Sequence, residues 1–263
     1  EGYHTAFFTD IQSFSAFSEK LSASDLVSLL NDYLTEMTDI LMENNGTLDK
    51  YIGDAIVAFY GAPLDLKNHE LMACRTAIKM QERLAVLRQQ WQEEGDRWPE
   101  IVHHMQNRIG INTGKMVTGN MGSESRMNYT MMGDTVNLAA RLESSAKQYG
   151  VYIQLSDSTY EAVKDQVVVR ALDFVRVMGK TEPVKVFELI SEKGQEPEPY
   201  KKILPIFHEG LENYFKQDWD KAIEAFKTAD ELEEMFPGRK TNPSRIYIPR
   251  CQNFKANPPG DDW

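Results

Sequence analysis

Cysteine is nearly absent from the chain: Cys74 and Cys251 are the only two in 263 residues. So sparse a set excludes a disulfide framework and suits free thiols in a reducing compartment. Long apolar runs are also missing. Nothing approaches the ~18 consecutive apolar residues of a membrane-spanning helix, and no charged-then-apolar leader opens the chain. Positive charge is scarce too, with 29 Lys and Arg against 40 Asp and Glu and a net charge of -11. That balance argues against a general nucleic-acid surface or an anionic-membrane surface. A polyanionic ligand would have to be held locally, by metal ions or a few placed cations.

What is present reads as alternating strands and helices. Tyr3 to Thr9 is short, aromatic and partly β-branched, so it predicts a buried strand that ends at Asp10. Ser22, with Asp25 three residues on, resembles a capping box ahead of Leu26, Leu29, Leu30, Tyr33, Leu34, Met37 and Leu41 at helical spacing. Residues 48–59 read as a hairpin turning at Gly53-Asp54. A second helix follows Pro63 and runs to about Trp91, and the polar stretch 89–100 reads as a solvated excursion. Strands are expected at 108–114 and 117–119, joined by a Gly114-Lys115 turn. Asp134 is a natural N-cap for a helix over 135–149. Further strands fall at 151–155, 167–177 and 184–190, with a short helix at 157–163. Hairpins mixed with crossovers favour an α+β fold, one sheet covered by helices, over a doubly wound parallel sheet.

The organisation expected is a main domain over 1–190, a linker over 191–199 and a helical extension over 200–263. In that extension, 206–217 and 220–236 resemble one unit of a tetratricopeptide-type array. A single unit cannot bury its own apolar face, so it has to dock on the domain or on a partner.

Three polar constellations stand out, and taken singly each has a plain reading. Asp10 at a strand end and Asp54 on a turn are commonly just terminators. Asn137 and Arg141, one helical turn apart, share a face that is commonly just solvated. Together with Lys50 and with Thr130, in the stretch from Asn128 to Glu143, they form a long pattern of fixed polar spacings. That pattern resembles the class III nucleotidyl cyclase catalytic domain over residues 3–190.

The resemblance implies a ferredoxin-like βαββαβ core and an adenylyl cyclase that converts ATP to 3′,5′-cyclic AMP and pyrophosphate. It implies two Mg²⁺ or Mn²⁺ ions per site, held by Asp10, Asp54 and the backbone carbonyl of Ile11. Ser13 and Phe14 amides, Arg108 and Lys180 would contact phosphates, Asn137 would orient the ribose, and Arg141 would meet the α-phosphate. Lys50 and Thr130 would read the purine. A lysine donor and a hydroxyl suit adenine, whereas guanylyl cyclases tend to carry Glu and Cys there. Thr at the second position also resembles a subgroup often stimulated by bicarbonate. One departure concerns Met178-Gly179-Lys180, where the family commonly has Lys-Gly-Lys.

Because the chain holds both half-sets of residues, the resemblance further implies a homodimer with sites shared between subunits. Neither nucleic acid nor membrane is expected to bind this stretch. The start at Glu1-Gly2-Tyr3 predicts a cytoplasmic piece of a longer protein with an upstream regulatory domain, through which the whole could be membrane-anchored. The rival readings are a guanylyl cyclase, a diguanylate cyclase, against which no Gly-Gly-(Asp/Glu)-Glu-Phe stretch occurs, and a degenerate cyclase-like binding module.

Overall fold

The computed structural model describes residues 1–175 and 183–260, and the statements below concern those residues. At the centre lies β1 (Gly2–Ile11), with Ala6, Phe7 and Ile11 buried. It is flanked antiparallel by β3 (Ala55–Tyr60) and β4 (Asn107–Ser123). Beyond β3 stands β2 (Thr47–Ile52), giving the order β2-β3-β1-β4 of a ferredoxin-like core. Beyond β4 the sheet continues with β6 (Ile153–Ser156), parallel to β4, then β8 (Val184–Glu192) and β7 (Val167–Val175), antiparallel. The α+β class expected from the sequence is the class observed.

One face of the sheet is covered by α2 (Ala23–Glu43) and α3 (His69–Glu93). Leu29, Tyr33, Met37 and Leu41 recur every three or four residues, and this stripe meets Cys74, Ala77, Met80 and Leu84 of α3 above Phe7 and Ile56. The short α1 (Phe14–Lys20) precedes them, and Ser22 caps α2 by accepting from the Asp25 amide at 3.1 Å. The opposite face carries α5 (Asp134–Tyr149), whose Val136 and Ala139 pack on Ala6, Val57 and Phe59. Its Leu138, Leu142 and Ala146 pack on Leu172 and Val186. A Cβ at Gly110 would stand 2.3 Å from both the Ala139 carbonyl oxygen and the Glu143 nitrogen, so glycine there sets how closely α5 lies on β4.

Four local expectations are corrected or refined. Residues 107–123 are one strand, not two: Gly114 and Lys115 pair in register with His4 and Tyr3. Gly114 serves helix approach instead, since a Cβ there would stand 2.8 Å from Thr135 Oγ1. The outer half of β4 pairs with β5 (Arg126–Met132), a strand the sequence reading did not name. The stretch 89–100 is solvated along 92–97 as expected, but it is anchored rather than free: Trp91 and Trp98 are each 2% exposed and α3 continues to Glu93. Gly133 is the N-cap of α5 and Asp134 its first residue, where a carboxylate favours the positive helix end.

The chain then leaves β6 through α6 (Asp157–Val163), and α4 (Glu100–His103) leads into β4. β8 runs to Glu192 and α7 (Glu198–Phe215) begins soon after, followed by α8 (Trp219–Leu232) and α9 (Pro243–Ala256). The α7–α8 pair buries Phe207, Leu211 and Phe226 against Tyr247 and Cys251 of α9, so a third helix covers the face one unit leaves open. Arg170 of β7 is fully buried between Glu188 of β8 and Glu233 beyond α8, at 2.7 and 2.9 Å. Burial works against its charge, but the two carboxylates overcome it and hold the guanidinium above its ordinary range.

Candidate active site

Asp10 sits near the end of β1, in register with Arg108 on β4. Asp54 lies in the tight turn joining β2 to β3, which Gly53 makes possible at a φ of 64°. The Ile11 amide donates to Asp54 Oδ2 at 2.9 Å and ties that turn to the strand end. Two carboxyl groups far apart in sequence thus meet. Burial, then the hydrogen bond with Asp10, push the Asp54 carboxyl up to about 7. Two acids crowded in this way mark a place short of positive charge.

Arg108 supplies part of that charge. Its guanidinium lies 3.9 Å from Asp10 Oδ2, and its Nε donates to Glu143 Oε1 at 3.1 Å. Glu143, buried on the inner face of α5, is raised by that burial, with Arg108 pulling the other way. Ser13 stands at the N-cap of α1 with φ 58°, turning the strand into the helix, and Phe14 stacks on Phe17 at 6.3 Å. Ser13 and Arg108 line a cavity of about 230 Å³ together with Lys147, Arg239 and Lys240.

A second cluster forms between β2 and β5. Lys50 Nζ lies 3.4 Å from Thr130 Oγ1 and 3.4 Å from Asp49 Oδ1, and the Thr130 hydroxyl donates to Asp49 Oδ2. Asn137 and Arg141 make a third group, both exposed on α5 while Leu138 and Leu142 face inward. No hydrogen bond or ion pair among the described residues joins these two to Asp10 and Asp54. Lys180 and its neighbours Met178 and Gly179 lie outside the described residues.

The fit of a metal can be judged from the donors. Among the described residues no group of three or more His, Cys, Asp or Glu side chains is arranged to hold an ion. Two carboxylates beside a backbone carbonyl nevertheless suit Mg²⁺, which commonly takes one or two carboxylates and completes its shell with water and substrate phosphates. The donor set fits.

A ferredoxin-like sheet with two crowded carboxylates at a strand end and a hairpin turn is the framework of a nucleotidyl cyclase catalytic domain. The family profile of the adenylate and guanylate cyclase catalytic domain matches residues 3–191, and the chain belongs to that family. It is 35% identical over 257 residues to the terminal-differentiation-specific adenylate cyclase of Dictyostelium discoideum, a match covering 96% of this chain and 11% of that protein. The chain thus spans about a tenth of that relative's length. Among solved structures, the adenylyl cyclase CyaB from P. aeruginosa is similar at 36% identity and a TM-score of 0.65, covering 74% of this chain and 97% of that one. The guanylyl cyclase Cya2 is similar at 32% identity and a TM-score of 0.64, covering 74% and 94%. One fold therefore carries an adenylyl cyclase in one of these neighbours and a guanylyl cyclase in the other.

Sequence reasoning passed over two residues of these clusters, Asp49 and Glu143. Glu143 had a usable signal, lying four and three positions from Ala139 and Ala140 on a helix that crosses Gly110. Asp49 had none, since in a regular strand it would face away from Lys50.

Proposed function

We propose that this chain is an adenylyl cyclase domain that converts ATP to 3′,5′-cyclic AMP and pyrophosphate at sites shared across a homodimer. The observation that carries this reading is the meeting of Asp10, Asp54 and the Ile11 backbone beside Arg108.

Asp10, Asp54 and the Ile11 carbonyl oxygen would hold two Mg²⁺ or Mn²⁺ ions. Bound there, such ions lower the pKa of the ribose 3′-hydroxyl and neutralise triphosphate charge. Arg108, Ser13, Phe14 and Lys180 are assigned to the phosphates, the first three with the α1 entrance beside them. Asn137 orients the ribose so that its 3′-oxygen stands in line with the α-phosphorus and the departing pyrophosphate. Arg141 places a fixed positive charge against the α-phosphate, where negative charge gathers in the transition state. Lys50 and Thr130 hold the adenine.

The homodimer is supported by the separation of the clusters: the exposed side chains of Asn137 and Arg141 make no hydrogen bond or ion pair among the described residues and would serve the carboxylates of a second copy. Apolar side chains near the β4–β5 ribbon support this, since Val117 and Met132 face each other while 46% and 61% exposed. Ile52 at the hairpin tip is also 61% exposed. A partner surface would cover them.

The test is incubation of the purified chain with Mn²⁺ and either ATP or GTP, with the cyclic product identified by mass spectrometry. Cyclic AMP in excess is expected, and absence of any cyclic nucleotide overturns the reading. Asp54→Ala and Arg141→Ala variants, each inactive alone, should regain up to about a quarter of wild-type activity when mixed, because the mixed dimer holds one intact site. No recovery at dimer-forming concentrations refutes the shared site.

A further inference from the structure

Lys50 and Thr130 do not stand alone, and the residue that joins them lies at an irregularity in the sheet. In the β2–β3 ladder Leu48 pairs with Ala58 and Lys50 with Val57, so Asp49 is an extra residue without a partner of its own. Such a bulge re-aims side chains that a regular strand would send to opposite faces. Here it brings the Asp49 carboxylate beside the Lys50 ammonium, although the two are adjacent in sequence. The Asp49 side chain is 2% exposed, and its Oδ1 has no hydrogen-bond partner among the described residues. Its Oδ2 accepts the Thr130 hydroxyl.

A threonine hydroxyl owns one proton and two lone pairs, while an aspartate carboxylate only accepts. With its proton committed to Asp49, the Thr130 oxygen can offer a ligand nothing but a lone pair. Lys50 donates to Thr130 at 3.4 Å and is ion-paired with Asp49 at 3.4 Å, and on a side chain 43% exposed its ammonium has further N–H groups to offer a ligand. The cluster therefore presents one acceptor and one donor side by side. Adenine carries the complement on its Watson–Crick edge, an amine donor at position 6 and an acceptor at N1. Guanine reverses both, with a carbonyl at position 6 and a protonated N1.

We infer that Asp49 is a specificity-determining positioning residue: by fixing the direction of the Thr130 hydroxyl and the seat of the Lys50 ammonium, it makes the purine pocket reject guanine. This rests on the adenylyl cyclase reading above. Without Asp49 the hydroxyl is free to turn and donate to a carbonyl at position 6, so one of the two mismatches against guanine is relieved and discrimination weakens. Rejection built on a forced acceptor facing an acceptor is the kind of polar mismatch that discriminates strongly.

The experiment compares kcat/KM for ATP and GTP, with Mn²⁺, in the wild type and in Asp49→Ala. The ATP-to-GTP ratio is expected to fall about tenfold or more, mostly through a gain in GTP turnover relative to ATP. A merely structural role would lower both nucleotides together and leave the ratio unchanged, and that result overturns the inference. Asp49→Leu, of similar shape, guards against a folding failure: it fills the buried site but accepts no hydrogen bond, so the Thr130 hydroxyl is released and the ratio should fall here also. An unchanged ratio in this folded variant is equally fatal. A wild type that prefers GTP, or cyclises neither nucleotide, refutes the adenylyl cyclase reading instead, so the two failures are told apart.

Discussion

The carboxyl group of Asp54 stands well above its ordinary value of 3.8 because it is desolvated and crowded by Asp10. An acid raised in the folded state stabilises the fold when protonated, so stability is lost as pH climbs from about 4 through about 7. In metal-free protein, calorimetry in EDTA should show Tm declining across that window, and Asp54→Asn should flatten the decline. Added Mn²⁺ should raise Tm more at pH 8 than at pH 6, since protons compete for the same oxygens. A wild-type profile as flat as that of Asp54→Asn would contradict this account. At this scale the sequence was informative wherever a functional side chain stands at a regular position. The meeting of Asp10 and Asp54 was expected from the family resemblance, on which the roles proposed for Asn137 and Arg141 also rest. Asp49 was not legible, because its orientation depends on a bulge that only the β2–β3 register reveals.

Among the elements, α5 and β4 set the spacing of the site. Arg108 on β4 and Glu143 on α5 are joined directly, and Gly110 between them admits the helix backbone. Gly110→Val would drive a side chain into the Ala139 carbonyl and the Glu143 amide, which cannot yield without displacing the helix. The expected cost is about 1–3 kcal/mol of stability. Cyclase activity should fall further than stability alone explains, because Asn137 and Arg141 ride on the same helix. Urea denaturation alongside steady-state kinetics checks both, and normal kinetics in the folded variant would show that helix placement is not critical. Helix periodicity made α2, α3 and α5 legible. The single strand over 107–123 was misread because a glycine suits a turn and a close helix contact equally well in sequence. α9 went unnamed, its two prolines breaking the usual helical signal.

Across the whole molecule, the C-terminal helices are joined to the sheet through buried charge. Arg170 is fully buried with Glu188 and Glu233, and Arg239 adds a bond to Glu233 at 2.7 Å. Removing one partner from such a cluster leaves the others charged and desolvated. Arg170→Met should therefore cost about 3–5 kcal/mol, read as a lower urea midpoint with an unchanged slope. A loss below ~1 kcal/mol would mean that the cluster is solvated in solution. Nothing in local sequence announces this joint, since its members lie on β7, β8 and the segment after α8. Most of α7 and α8 was legible, although α8 ends at Leu232 and not at 236, but their docking partner was not.

The β2–β3 hairpin carries both Lys50 and Asp54 on one short, stiff ribbon. In a twofold assembly with shared pockets, these two side chains work for different nucleotides. A base that settled against Lys50 in one pocket would thereby pull, through that ribbon, on the acid serving the other. The pair of reaction centres would then behave as the two pans of a single balance, neither loaded without the other tilting.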